Sequence, residues 1–165
     1  MPNKLPENLV IRLATKKDTP LILSFIKELA EYEKMLNEVE ATEDMLAENL
    51  FGKHQYAEVL IAEYDGHPAG QALFFHNFST FVGKPGIYLE DLYVRPHLRG
   101  KGIGKSLLME LVKLARQRNC GRVEWVVLDW NEPSINFYKS LGALPMNEWT
   151  TFRITEEAIN KLADM

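Results

Sequence analysis

Apolar residues recur at two different periods along the chain, and each period predicts a type of element. Short apolar runs bounded by turn residues predict strands at 9–14, 57–64, 69–78, 86–94, 122–128 and 150–154. Apolar stripes with three- and four-residue spacing predict helices that start near Asp18, Thr42 and Gly102, and the segment 131–142 and the last residues are also expected to be helical. This order predicts a mixed α/β fold with helices crossing between strands in the second half, and one domain over residues 1–165.

Residues that favour helix ends and turns mark the boundaries of these elements. Asp18, Thr42 and Asn131 are suited to cap helices, and a proline follows Asp18 and Asn131 within the first helical turn. Gly121 is expected to end the third helix. Asp65-Gly66 predicts a hairpin turn between the second and third strands.

Composition narrows the class of protein. A hydrophobic content of 46% with 25% charged residues is typical of a soluble globular domain. The net charge of −4 argues against a nucleic-acid partner, and no apolar run is long enough to span a membrane. The single cysteine, Cys120, excludes an internal disulfide, and the first residues lack the apolar core of a signal peptide. These features predict a cytoplasmic protein.

The stretch "RGKGIGKSLLMEL", residues 99–111, has the composition of a phosphate-binding loop that opens onto a helix. It misses the nucleoside-triphosphate loop and the dinucleotide fingerprint by one residue each. Alternate glycines nevertheless let several backbone N–H groups point at one anion, and the helix N-terminus adds unpaired donors. The loop therefore predicts a pyrophosphate site, with positive charge supplied by Arg99, Lys101 and Lys105.

Two adjacent acids, Glu90 and Asp91, interrupt the apolar strand "IYLEDLYV". In a regular strand they point to opposite faces, and which of them faces a site stays open. An unpartnered carboxylate is costly to bury, so the pair indicates a functional site. The four histidines share no ligand spacing with one another or with Cys120, so no metal site is predicted.

The segment "VRPHLRGKGIGKSLL" resembles the acetyl-CoA signature of the GNAT superfamily of N-acetyltransferases, with Arg99, Gly102 and Gly104 at the matching positions. The resemblance implies a GNAT fold, in which a central mixed, mostly antiparallel twisted sheet is flanked by helices and two strands splay apart at the acetyl-CoA site. It implies that acetyl-CoA is the co-substrate and that its pantetheine arm lies along Leu92, Tyr93 and Val94. The pyrophosphate is then held by Arg99, Gly100, Lys101, Gly102, Ile103, Gly104 and Lys105.

Three longer segments, "FIKELAEYEKMLNEVEATEDMLAENLFG", "YLEDLYVRPHLRGKGIG" and "VLDWNEPSINFYKSLGA", are similar to the spermidine/spermine acetyltransferase family, which includes a thialysine branch. The likeness implies that Tyr138 donates a proton to the leaving CoA thiolate. It implies that Glu90 accepts the amine proton through water. Asn131 and Ser134 are then expected to cap their helix and to contact the cofactor.

The same resemblance implies a set of substrate-binding residues, namely Tyr32, Glu33, Glu90, Asp91, Ser79, Thr80 and Glu148. The polyamine branch has an aspartate and a tryptophan where this chain reads "FSTFVGK". Ser79 and Thr80 look like the thialysine branch, and Phe81 replaces the tryptophan. One fewer carboxylate favours a short amine that carries its own carboxylate over a long polycation.

The sequence thus predicts an N-acetyltransferase that moves the acetyl group of acetyl-CoA to a primary amine of a small molecule, a thialysine-like amino acid or a polyamine, by direct transfer in a ternary complex. The family resemblance adds a homodimer. Two alternatives stay open at this point: acetylation of a protein amine, and a CoA-binding sensor without catalysis.

Overall fold

The computed structural model describes residues 6–165. They fall into two compact units, of which the first ends at Val126 and the second begins at Val127. The first unit contains, in chain order, β1 (Leu9–Leu13), α1 (Thr19–Tyr32), α2 (Glu43–Phe51), β2 (Glu58–Tyr64), β3 (His67–Ser79), β4 (Lys84–Val94), α3 (Ile103–Gln117) and β5 (Val123–Trp125). The second contains α4 (Glu132–Ser140) and α5 (Glu156–Ala163).

The strands of the first unit form one sheet in the order β1-β2-β3-β4-β5. The first four strands are antiparallel neighbours, and β5 runs parallel to β4. The hairpin turn predicted at Asp65-Gly66 joins β2 to β3, and α3 is the crossover that a parallel pair requires. The sheet is therefore mixed and mostly antiparallel, as predicted.

Helices cover the sheet because its alternating residues make both faces apolar. Against one face, α1 packs Ile22 and Phe25 onto a cluster of residues from β2, β3 and β4: Val59, Ile61, Leu73 and Tyr93. From α3, four fully buried residues pack toward β2, β3 and β4: Ile103, Leu107, Leu108 and Leu111. Truncating any of these core side chains to alanine is expected to cost about 2–5 kcal/mol of folding free energy.

The two predicted N-cap residues of α1 and α2 differ in whether their side chains bind the helix. Thr42 caps α2 as predicted, its hydroxyl accepting from the Met45 amide at 3.2 Å. Asp18 occupies the N-cap position of α1, but its carboxylate accepts two hydrogen bonds from Arg12 on β1, each 2.8 Å long. The same carboxylate also accepts from the Thr15 amide at 2.7 Å, so it is held by the charge-assisted pair with Arg12 and by the turn before α1, and it makes no cap bond to α1.

Three boundary predictions are wrong. The strand predicted at 122–128 pairs with β4 over Val123–Trp125 alone. Residues 150–154 form no strand among the described residues, and Phe152 is 92% exposed; an apolar alternation makes a strand only where another strand pairs with it. The third helix ends before Gly121, since Asn119 takes the left-handed conformation (φ 55°) and the Cys120 amide donates to the Ala115 carbonyl.

The second unit is mostly exposed. Asn131 caps α4 as predicted, its side-chain oxygen accepting from the Ser134 amide at 3.4 Å. Among the described residues of α4 and α5, none is fully buried. Across residues 6–165, no helix combines the length and the apolar character that crossing a bilayer requires.

Candidate active site

Strand β4 carries a β-bulge at the two adjacent acids. Ala72 faces Leu92 and Phe74 faces Leu89, so Glu90 and Asp91 together stand opposite the single residue Leu73. We expected the two acids to point to opposite faces because side chains alternate in a regular strand. The strand is bulged at this point, so that expectation does not apply. Bulges commonly re-aim side chains beside functional sites.

The sheet opens at the same place. Pairing between β4 and β5 runs from Ile87 with Val123 to Leu89 with Trp125 and stops there. Asp91–Val94 stay paired with β3 on one side, whereas on the other side no described strand follows them. This is the splayed arrangement that the resemblance predicts, and no described strand pairs with the outer edge of this part of β4.

Three carboxylates meet at the bulge. Burial and, to a smaller extent, the negative charges of Glu90 and Glu33 together raise the pKa of Asp91 to about 6. Glu33 is the residue at the C-terminal end of α1, and burial raises its own pKa. Like charges held together in a partly buried place favour a cationic ligand and make one of them an effective proton acceptor.

An aromatic ring on β4, two residues before the bulge, is influenced by one of these three charges. The pKa of Tyr88 is raised by burial and by the charges of Glu90 and Glu124. Its ring lies 5.1 Å from that of Phe75, between centroids. Two paired aromatic residues on β3 and β4 therefore lie next to the bulge in sequence.

The glycine loop has the backbone geometry that an anion site needs. Gly100 and Gly102 have φ of 79° and 80°, a conformation that side chains disfavour, and Gly102 is the N-cap of α3. A glycine cap offers no side-chain acceptor, so the first amides of α3 have neither a capping side chain nor an i−4 carbonyl partner. The Ser106 hydroxyl donates to the Gly102 carbonyl at 2.9 Å, which fixes the loop end.

Gly104 is not required by the fold itself. A Cβ at this position would lie 3.6 Å from Cγ2 of Val94, an ordinary contact distance. A glycine there instead keeps the first turn of α3 open to a ligand that approaches the backbone closely. The backbone geometry of the loop is compatible with an anion, and its role as the pyrophosphate site stays a prediction.

The basic side chains of the loop differ in their contacts. Arg99 donates from Nε to the Val94 carbonyl at 2.9 Å, and its guanidinium carbon lies 4.8 Å from the Tyr32 ring centroid and 5.7 Å from that of Tyr93. Lys101 places Nζ 5.5 Å from the ring centroid of Tyr64, at the end of β2. Lys105 is exposed on α3. Arg99 therefore joins the loop to α1, where Tyr32 precedes Glu33.

Sequence reasoning missed the ion pair that supports this arrangement. Arg95, directly after β4, lies 3.0 Å from the Glu28 carboxylate on α1, and it donates to the Pro68 carbonyl at 3.1 Å. Burial opposes the charge of Glu28, but hydrogen bonds from Arg95 and Ser24 prevail, and its pKa is lowered. The partners are 67 residues apart, so no local pattern could have revealed the pair.

Two predicted substrate residues lie elsewhere. Ser79 is 4% exposed at the end of β3, where its hydroxyl accepts from the Val82 amide at 3.2 Å, and Thr80 after it is exposed. Ser79 lies six residues along β3 from Leu73, the residue opposite Asp91, which corresponds to about 20 Å. Within one chain the structure does not bring Ser79 and Thr80 to the carboxylates, and their role stays a prediction.

The remaining predicted residues belong to the second unit. Tyr138 is half-buried on α4, with its ring centroid 5.4 Å from that of Phe137. Asn131 is 6% exposed and binds the Ser134 amide, and Glu148 is exposed in a turn. Their catalytic and binding roles stay predictions. Residues 6–165 hold no group of three or more His, Cys, Asp or Glu side chains suited to a metal ion.

Comparison with known proteins identifies the fold and the chemistry. The model of the acetyltransferase (GNAT) family matches residues 23–143. Thialysine N-epsilon-acetyltransferase from Sus scrofa is 37% identical over 167 residues, covering 94% of this chain and 98% of that protein. L-ornithine N5-acetyltransferase from Arabidopsis thaliana is 32% identical over 197 residues, covering 92% and 86%.

A solved structure shares this fold. An integron cassette protein from the mobile metagenome of V. cholerae superposes with a TM-score of 0.80 at 30% identity, covering 96% of this chain and 99% of that one. The chain belongs to the acetyltransferase (GNAT) family. The predicted GNAT fold and the predicted enzyme, an N-acetyltransferase that uses acetyl-CoA, are confirmed.

Proposed function

We propose that this enzyme transfers the acetyl group of acetyl-CoA directly to the side-chain amine of a short diamino acid such as thialysine. The observation that carries the proposal is the cluster of Glu33, Glu90 and Asp91 at the point where β4 and β5 diverge. The names of its relatives support the same substrate class, since they act on thialysine and L-ornithine. We further propose a cytoplasmic homodimer as the working form.

The first obstacle to the reaction is the proton on the amine. An alkylammonium has a pKa of about 10.4, so about one molecule in a thousand is nucleophilic at neutral pH. The acidic cluster attracts the cation and then accepts its proton. Asp91 suits this step, because its pKa of about 6 leaves it mostly ionised at pH 7 yet basic enough to hold a proton. The family resemblance gives this step to Glu90, but Glu90 is exposed on the bulge, so we propose that it relays the proton through water to Asp91.

The second step is attack on the thioester. The amine nitrogen forms a bond to the acetyl carbon, the bond from that carbon to the CoA sulfur breaks, and the amine proton passes to the carboxylates. The thiolate that leaves takes a proton from the Tyr138 hydroxyl, the role that the family resemblance gives this residue. Direct transfer needs both substrates bound together, which converts the reaction into one within a single complex.

In this proposal, residues 92–105 bind most of the acetyl-CoA molecule. The amides of the first turn of α3 and the positive end of its dipole hold the pyrophosphate, and the basic residues of the loop add charge. The open edge of β4 at residues 92–94 offers hydrogen bonds to the pantetheine arm. Asn131 and Ser134, from the cap of α4, are proposed to contact the cofactor as well.

The test is release of CoA from acetyl-CoA in the presence of thialysine, ornithine, lysine, putrescine, spermidine or a lysine-containing peptide. We expect the short diamino acids to give the highest kcat/KM. A preference for spermidine would show that the three carboxylates suffice for a polycation, and a preference for the peptide would contradict a small-molecule acceptor. If acetyl-CoA binds but no CoA is released in the presence of any of these amines, the result would favour a CoA-binding sensor without catalysis.

A conservative substitution tests the proposed role of Tyr138 as the acid. Tyr138→Phe is expected to lower kcat while the Kd for acetyl-CoA stays within about twofold, because the ring that packs beside Phe137 is kept. Equal losses in turnover and in acetyl-CoA affinity would contradict the assignment of Tyr138 as the acid.

A further inference from the structure

We propose that Arg99 is a positioning residue that couples the binding of acetyl-CoA to the binding of the amine, through its contact with Tyr32. This inference rests on the proposed function, since it concerns the two substrates of that reaction.

The geometry of Arg99 carries the inference. It is the first residue of the glycine loop, yet its side chain turns back toward the sheet, with Nε donating to the Val94 carbonyl at 2.9 Å. The guanidinium carbon then lies 4.8 Å from the ring centroid of Tyr32. One side chain thus contacts the strand end proposed for the pantetheine arm and the residue next to Glu33.

A planar guanidinium over an aromatic ring is a directional contact, so fixing one partner restricts the other. When the pyrophosphate fills the loop, the backbone of Arg99 is fixed, and the stack holds Tyr32 and the last turn of α1 in place. Glu33 follows Tyr32 directly, so the acidic cluster is ordered before the amine arrives. By linkage, a bound amine must tighten the binding of the cofactor by the same factor.

A neighbouring cation provides a matched control. Lys101 also belongs to the loop, but its ammonium lies 5.5 Å from the ring centroid of Tyr64 on β2. Removing Lys101 takes a positive charge from the cofactor site and leaves the contact between Arg99 and Tyr32 in place. Lys101→Ala is therefore expected to weaken CoA binding without changing the coupling.

The experiment is titration calorimetry with CoA, which carries no acetyl group and does not react, in the absence and presence of saturating thialysine. In the unaltered enzyme, thialysine is expected to lower the Kd for CoA about two- to fivefold, the range that a partly exposed cation–π contact supports. Tyr32→Phe keeps the ring and the coupling. Tyr32→Leu removes the ring, and Arg99→Lys removes the planar group and its Nε bond, so both bring the ratio of the two Kd values close to one.

CoA binding by each variant also shows that it is folded. An unchanged ratio in Tyr32→Leu and Arg99→Lys would overturn the proposal, as would a ratio of one in the unaltered enzyme that acetylates thialysine. If the unaltered enzyme acetylates no amine of the panel, the proposed function itself fails, and that result is distinct from loss of coupling alone.

Discussion

The carboxylate of Glu33 lies close enough to that of Asp91 for its negative charge to raise the Asp91 pKa. The two residues come from the end of α1 and from the bulge in β4, which are 58 positions apart in the chain. The stack of Arg99 on Tyr32 and the ion pair between Arg95 and Glu28 hold these two elements against each other. The acidic site is therefore built by contacts between a helix and a strand, and its charges act as a group.

The first prediction concerns the charge of Glu33. Glu33→Gln removes one of the negative charges that raise the Asp91 pKa, so this pKa falls and Asp91 ionises at lower pH. The acidic limb of kcat/KM for thialysine should move to lower pH. Glu31→Gln, an exposed position on the same helix, serves as the control and should leave the limb in place. A limb that does not move in Glu33→Gln would show that Asp91 does not govern it.

The second prediction concerns stability. The pKa of Asp91 is raised in the folded state, so between about pH 4 and pH 6 the folded protein binds more protons than the unfolded chain, and its stability falls as pH rises. Asp91→Asn removes this loss. The variant should be more stable than the unaltered enzyme at pH 8, by up to about 3 kcal/mol, and the gain should disappear below about pH 4.

Urea denaturation at pH 4, 6 and 8 measures this difference. A gain in stability that is the same at all three pH values would contradict a raised Asp91 pKa in the folded state. The gain would come with a loss of activity, as is common for groups retained for function.

The third prediction distinguishes the roles of two glycines in the loop, one in ligand binding and one in backbone conformation. Gly104→Ala places a Cβ at ordinary contact distance from Val94, so folding stability should be kept or slightly improved while acetyl-CoA affinity falls at least tenfold. Gly102→Ala must adopt a φ near 80°, which should cost about 1 kcal/mol of stability. Thermal unfolding and acetyl-CoA titration on both variants provide the comparison. Unchanged acetyl-CoA binding by Gly104→Ala would place the pyrophosphate elsewhere.

The fourth prediction concerns a contact outside the site. Hydrogen bonds from Arg12 lower the pKa of Asp18 to about 2, so this pair stabilises the fold above about pH 4 and the contribution is lost as pH falls toward 2. Asp18→Asn should cost about 1–2 kcal/mol at pH 7, discounted for the exposure of Arg12, and much less at pH 2.5. Glu110→Gln, which removes the exposed pair with Lys113, should cost less than about 0.5 kcal/mol. Urea denaturation at both pH values tests the contrast.

Local signals explain which parts of the fold were predictable. The cap at Thr42, the turn at Asp65-Gly66 and the loop from Gly100 to Gly104 depend on residues within a few positions, and the structure contains all three. The capping role of Asp18 was misjudged because its carboxylate binds Arg12, which lies on β1, and the Thr15 amide instead of the first amides of α1. The strand expected at 150–154 failed because alternation alone does not supply a neighbouring strand to pair with.

In the candidate site, too, the sequence predicts the features that depend on neighbouring residues and misses those that depend on tertiary contacts. The loop and the adjacent acids can be found in the sequence, because glycine spacing and a charged pair in an apolar strand are local patterns. The bulge cannot, since "YLEDLYV" fits a regular strand equally well, and only the pairing with Leu73 reveals the extra residue. The distance of Ser79 from Asp91 also depends on how β3 runs along β4.

The proposed role of the carboxylate cluster is tested most directly by the pH dependence of kcat/KM for thialysine in the unaltered enzyme, Asp91→Asn and Glu90→Gln. We expect an acidic limb near pH 6 in the unaltered enzyme, set by the Asp91 pKa. In Asp91→Asn we expect loss of that limb, with about a hundredfold or greater fall in activity, whereas Glu90→Gln keeps a limb displaced to lower pH. An Asp91→Asn enzyme with the activity and pH profile of the unaltered protein would contradict the claim that this carboxylate cluster deprotonates the amine.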